Sequence, residues 1–175
     1  MLSLLIPKNI QIEWGLNFIQ VSGPLGSIRK KKVEFLLAKE NSRLFLSVND
    51  SNENNNIEHF YLSMIKSYII GVSKGYRKKL RLVGVGYKAH VNLTNTLVLK
   101  IGYNHEVLFP IPEDIKIICS KVKGTVFIIQ GTDKYRVNQI AAQIKLLRKP
   151  DVYKGKGIHY DKEILTLKKG KRENK

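Results

Sequence analysis

The stretch IPKNIQI, residues 6–12, returns as IPEDIKI, residues 111–117, and NFIQVSG, residues 17–23, returns as TVFIIQG, residues 125–131. Both pairs carry the apolar–polar alternation of half-buried strands. Each copy is followed, some way on, by an amphipathic helical pattern. Ile57, Phe60, Tyr61, Met64, Ile65, Tyr68 and Ile69 recur at three- and four-residue steps after the first copy, and Val137, Ile140, Ala141, Ile144 and Leu147 after the second. Two copies of one sheet-plus-helix unit is the simplest account. Strand runs grouped ahead of each helix, rather than alternating singly with helices, put the chain in the α+β class: two similar domains from an internal duplication, each a mainly antiparallel β-sheet packed against one α-helix.

Outward from this repeat, residues 10–13, 17–22, 28–33, 34–38 and 43–48 read as strands, and the polar stretch 49–56 as a loop. Gly71 and Gly75 are stop signals for the first helix. Strands resume at 79–91, 97–103, 106–111, 115–121 and 125–129. Asp133 stands near the start of the second helix, where it complements the helix dipole, and Pro150 ends that helix. A last strand is expected at 164–167, followed by a basic tail. The domains implied are 1–74 and 75–175.

The chain has 175 residues, 43% of them hydrophobic, enough to build cores. Its 31 Lys plus Arg against 14 Asp plus Glu leave a formal charge of +17, the mark of a protein with a polyanionic partner. The excess is uneven: residues 1–74 hold 9 basic and 6 acidic side chains (+3), and residues 75–175 hold 22 and 8 (+14). The second half is expected to carry the polyanion contact.

Catalytic and metal constellations do not emerge. The single cysteine, Cys119, excludes an intramolecular disulfide and a multi-cysteine metal site, and shares strand parity with Ile115 and Ile117 as core filling. His59, His90, His105 and His159 are scattered and read as surface or packing residues. Gly84-Val85-Gly86-Tyr87-Lys88-Ala89 matches GxGxxA formally, but dinucleotide sites need a helix straight after the glycines, and here an alternating strand follows. These glycines fit a bulge or a close backbone approach. Lys74-Gly75-Tyr76 opens like an RNA-reading motif, yet Arg77, Lys78 and Lys79 follow where a small residue and aromatics belong, leaving a basic cluster with Arg81. No cofactor and no small-molecule substrate are expected. The longest apolar runs fall short of the ~18–20 residues that cross a bilayer, so no membrane partner is expected. The start, MLSLLIPKN, resembles neither a secretory signal nor a transit peptide, and the sequon at Asn92 reads as chance.

Residues 148–158, RKPDVYKGKGI, differ in kind. Straight after a helix stop they set cations on a glycine-interrupted backbone, suited to lie close against a ribose-phosphate chain and to donate main-chain N–H groups. Arg148, Lys149, Tyr153, Lys154, Gly155, Lys156 and Gly157 are the primary candidates, helped by Arg77, Lys78 and Lys79 and by the tail residues Lys168, Lys169, Lys171 and Arg172.

PDVYKGKGI, residues 150–158, resembles the signature of the large-subunit ribosomal protein six family, the bacterial-type L-six proteins, and GVSKGYRKKLRLVGVGYKA, residues 71–89, is similar to the junction between that family's two domains. The resemblance runs from about residue 6 to the tail. It implies a non-catalytic ribosomal protein that binds large-subunit rRNA, mainly through its C-terminal domain, near the stalk base and the sarcin-ricin loop region, beside neighbouring ribosomal proteins and close to docking translation factors. Arg29-Lys30-Lys31-Lys32 and the loop 49–56 match no motif of the family. Abundant Asn, Ile and Lys, with no presequence, point to an organelle-encoded, mitochondrial ribosomal protein; an AT-rich bacterium or a plastid leaves the same signs. The rival readings are a basic RNA-modifying enzyme and a nucleoid or membrane-surface protein.

Overall fold

The computed structural model describes residues 2–31, 36–40, 43–47, 55–120 and 124–170. In chain order its elements are β1 (Leu2–Leu5), β2 (Gln11–Trp14), β3 (Phe18–Gly23), β4 (Gly26–Lys31), β5 (Leu36–Glu40), β6 (Arg43–Ser47), α1 (Asn55–Ser73), β7 (Tyr76–Val83), β8 (Lys88–Val91), β9 (Thr96–Lys100), β10 (Val107–Pro110), β11 (Ile115–Cys119), β12 (Val126–Gly131), α2 (Lys134–Leu147) and β13 (Gly157–Tyr160). Two compact units result: residues 1–76 with 132–134, and residues 77–131 with 135–175.

The repeated hairpins keep one register. Ile12 lies opposite Val21 and Trp14 opposite Ile19 in β2–β3, while Ile117 lies opposite Ile129 and Cys119 opposite Phe127 in β11–β12. Burial repeats as well: Ile6, Ile10 and Ile12 are buried, and so are Ile111, Ile115 and Ile117.

Strand order carries the repeat further. The sheets run β1-β6-β5 and β2-β3-β4 in the first unit, and β10-β9-β8 and β11-β12-β7-β13 in the second. Each sheet therefore joins a hairpin to a lone strand from the other half of its unit: β4 to β2–β3, β1 to β5–β6, β10 to β8–β9 and β7 to β11–β12. The building block is a lone strand, a turn and a hairpin, used twice per unit. Three of the turns lie among the described residues, and each is closed by the same main-chain bond. Ile10 N–H donates to Pro7 O (3.1 Å), Tyr87 N–H to Gly84 O (3.4 Å) and Ile115 N–H to Pro112 O (3.1 Å).

This topology corrects the expected strand 79–91. The chain leaves one sheet at Val83 and enters another at Lys88. Gly84–Tyr87 is the crossing turn, with Gly86 at φ +74°, so the glycines lead from strand to strand and no helix N-terminus receives a phosphate.

In the first unit α1 packs on β1, β3, β4 and β6. Ile65, Ile69 and Val72 are its buried stripe; Phe60, expected on that face, is 64% exposed. Gly71 does not stop the helix, which runs through it to Ser73. The stop is Gly75, at φ +72°, whose N–H is shared between the carbonyls of Ile70 (3.2 Å) and Gly71 (3.0 Å). In the second unit Val137, Ile140, Ala141 and Ile144 of α2 are buried as their spacing predicts. Two strands were not anticipated, β1 and β13, whereas residues 164–167 form none.

Candidate nucleic-acid interface

The loop that follows α2 is closed by its own main chain. Asp151 N–H donates to Lys156 O (2.9 Å), Gly155 N–H to Asp151 O (2.9 Å) and Ile158 N–H to Arg148 O (3.0 Å). The Asp151 carboxylate accepts the N–H groups of Lys154 (3.0 Å) and Tyr153 (3.4 Å). Those bonds, Lys154's first, hold its carboxyl below the usual aspartate range. The expected supply of free main-chain donors is thus largely consumed within the loop.

Its glycines shape it rather than face outward. Gly155 and Gly157 are both buried, at φ +66° and +149°. A Cβ at Gly157 would lie 2.7 Å from the Lys149 carbonyl oxygen and 2.7 Å from Pro150 Cα. Only glycine fits there. Beneath the loop, the buried His159 brings Nε2 to 2.7 Å from Gly155 O. From the sequence His159 reads as a scattered surface or packing residue; its contact four residues back is visible only in three dimensions.

At the loop's entrance Tyr103 donates its hydroxyl to Leu147 O (2.9 Å), and the Arg148 guanidinium lies 4.8 Å from the Tyr103 ring centroid. Hydrogen bonding to Tyr103 is the first cause that keeps Arg148 above the ordinary guanidinium range. Lys149, Lys154 and Lys156 are exposed, and Tyr153 is 55% exposed.

The tail returns to this loop. Lys168 N–H donates to Val152 O (2.9 Å), which places the exposed Lys168 and Lys169 beside it. Lys171 and Arg172 lie outside the described residues. Residue Asp161 ties in β7: its N–H donates to Lys79 O (3.1 Å), its Oδ1 lies 3.3 Å from Lys79 Nζ and 3.5 Å from Arg81 Nε, and its carbonyl accepts from Arg81 Nη2 (2.8 Å).

Alternation divides the β7 cluster. Arg77, Lys79 and Arg81 are exposed on one face, while Lys78 shares the face of the buried Leu80 and Leu82. Its ammonium sits 4.6 Å from the Tyr160 ring centroid. The loop, the tail and one face of β7 are therefore linked; Lys78 stands apart. This was legible in the sequence, since 78, 80 and 82 share strand parity.

Glu163 braces the start of the tail, with Lys145 Nζ at 2.5 Å from Oε1 and Tyr160 N–H donating to Oε2 (3.0 Å). The Lys145 bond, ahead of the Tyr160 one, holds the Glu163 carboxyl below its ordinary value. A lowered carboxyl stabilises the fold above its unfolded value and loses that contribution as pH falls through the folded one. Glu163→Gln is expected to cost under about 1 kcal/mol at pH 7, because solvent screens the pair, and to remove the share of stability lost between the ordinary glutamate range and more acid pH. Urea unfolding of both proteins at pH 7 and below pH 4.3 checks this.

Among the described residues, no group of three or more His, Cys, Asp and Glu could hold a metal ion, and no helix is long and apolar enough to cross a membrane. Cys119 is half-buried, and burial pushes its thiol up, away from a reactive thiolate.

Residues 83–161 match the family model described as Ribosomal protein L6. That segment contains the turn at Gly84 and the whole loop 148–158. The chain is 42% identical to the large ribosomal subunit protein uL6m of Reclinomonas americana, covering 96% of this chain and 95% of that protein. It is 34% identical to uL6 of Thermotoga maritima, over 97% and 95%, and 37% identical to uL6 of Xanthobacter autotrophicus, over 98% and 97%.

Proposed function

The chain belongs to the ribosomal protein L6 family, whose members are structural rather than catalytic proteins of the large ribosomal subunit, and from that premise we propose that its second unit seats on large-subunit rRNA near the stalk base and the sarcin-ricin loop region. The observation that carries this reading is the closed loop 148–158 with the tail bonded to it at Val152. Together they set Lys149, Lys154, Lys156, Lys168 and Lys169, all exposed, on one hydrogen-bonded frame.

A frame already fixed before binding loses little backbone freedom when it meets its partner. The ammonium groups displace condensed counterions from the phosphates, and this supplies the salt-dependent part of the affinity. Duplex RNA buries its base edges in a deep, narrow groove, so the target is the shape and backbone of folded rRNA rather than its sequence. Tyr153 adds a ring on which an unpaired base can stack. Arg148, Arg77, Lys79 and Arg81 extend the cationic surface. Gly155 and Gly157 hold the loop's shape, and Lys78 braces Tyr160 on the other face.

The first unit serves as a spacer and a face for neighbouring ribosomal proteins, with translation factors docking nearby. The uL6m of Reclinomonas and the Asn-, Ile- and Lys-rich composition support a mitochondrial ribosome as the site of work.

The test replaces Lys154 and Lys156 by Gln and measures binding of a large-subunit rRNA transcript against salt. Two lost phosphate contacts are expected to reduce the log–log slope by about 1.4–1.8. Unchanged affinity together with an unchanged slope removes the loop from the interface.

A further inference from the structure

Among the described residues His159 is the one polar or charged side chain that is buried, at 7% exposure. Its Nε2 meets the carbonyl oxygen of Gly155 at 2.7 Å. A carbonyl oxygen can only accept, so Nε2 carries the proton and donates it. Among the described residues no peptide bond is cis, and in a trans peptide unit the C=O and N–H groups point to opposite sides. With the Gly155 carbonyl drawn in to the buried ring, the N–H of Lys156, in the same peptide unit, is turned the other way.

That N–H has no acceptor among the described residues, and Lys156 is exposed. The neighbouring N–H groups of Asp151, Tyr153, Lys154, Gly155 and Ile158 are all donated inside the protein. The Lys156 N–H therefore remains free for an acceptor from outside the loop.

We propose that His159 is a positioning residue: by holding the Gly155 carbonyl inward it aims the Lys156 N–H outward, as the donor to a non-bridging phosphate oxygen of the bound RNA. The two lysines contribute charge at this seat; the N–H contributes direction. The inference rests on reading the loop as an RNA contact, and its test separates the two.

His159→Phe keeps a ring of similar bulk but loses the donor, whereas His159→Gln keeps an N–H able to reach a carbonyl. The Phe variant is expected to bind a large-subunit rRNA transcript about tenfold more weakly. Its salt slope should stay as in the parent, because no charge on the surface has changed. The Gln variant should recover most of the affinity. In solution NMR, inorganic phosphate should shift the Lys156 amide proton downfield in the parent and in the Gln variant, and leave it in place in the Phe variant. These spectra report on folded molecules, so the Gln variant and the parent decide the matter even where the Phe variant unfolds. Parent-like binding by folded His159→Phe, or a Lys156 amide that phosphate does not move in the parent, overturns the role of His159. If the Lys154→Gln, Lys156→Gln protein also binds unchanged, the RNA reading of the loop falls with it.

Discussion

Gly157→Ala is expected to destabilise the second unit by at least about 3 kcal/mol and to abolish measurable rRNA affinity at moderate salt. Two costs add. At φ +149° an L side chain is strained wherever it finds room. Room is also lacking, since the new Cβ would lie 2.7–2.8 Å from the Lys149 carbonyl oxygen and from Pro150 Cα and N, all backbone atoms that cannot rotate away. Relief requires residues 149–150 to move, and with them the Arg148 carbonyl that accepts Ile158 N–H. The loop would open at its base. Gly155→Ala is the control. It too has positive φ, +66°, but a Cβ there would meet only Leu167 Cδ2, at 3.5 Å, an ordinary contact with a flexible side chain. It should cost only about 1–2 kcal/mol. Urea midpoints for the two variants, followed by rRNA titration, check the ranking; equal effects would mean that the loop's base is not held by the 149–157 contact.

How much of this could be read from the chain depends on which interactions are local. The hairpins at 10–23 and 115–131 were legible because their alternation and their burial coincide residue for residue. The α2 stripe was legible for the same reason. The break at Gly84 was not, because β7 and β8 both alternate, and the alternation continues across a turn that sends them into different sheets. The strand β13 was hidden inside the glycine-rich loop: it exists because Gly157–Tyr160 pairs with β7, more than seventy residues earlier. Its neighbours in sequence say nothing of that. Phe60 fits the helical period of α1 yet stays exposed, while Val72, beyond the glycine at 71, completes the buried stripe. The candidate cations were legible as a charge excess. Which of them share a surface was settled by Asp161, by the Lys168–Val152 bond and by strand parity at Lys78, and of these only the last was available in the sequence.

The shared hairpin register yields a comparison that separates stability from binding. Phe127 in β12 and Ile19 in β3 are structurally equivalent: each faces the residue at the same place on its partner strand, Cys119 or Trp14, and each is fully buried, at 0% and 1% exposure. Phe127→Ala is expected to cost about 3–5 kcal/mol and Ile19→Ala about 2–5 kcal/mol, the removed contacts plus the cavity left behind. The two losses are similar in size but fall in different units. Phe127 sits in β12, hydrogen-bonded neighbour of β7, whose other neighbour β13 carries the His159 pin. Loosening that sheet disturbs the alignment of Arg77, Lys79 and Arg81 with the loop. Ile19 belongs to the core of the first unit and shares no sheet with any proposed rRNA contact. At temperatures where both variants remain folded, Phe127→Ala should therefore weaken rRNA binding several-fold more than Ile19→Ala does. Thermal unfolding establishes the common stability loss, and titration with large-subunit rRNA measures the difference. Equal loss of affinity at equal loss of stability would move part of the rRNA contact into the first unit, and the reading of that unit as a spacer would no longer stand.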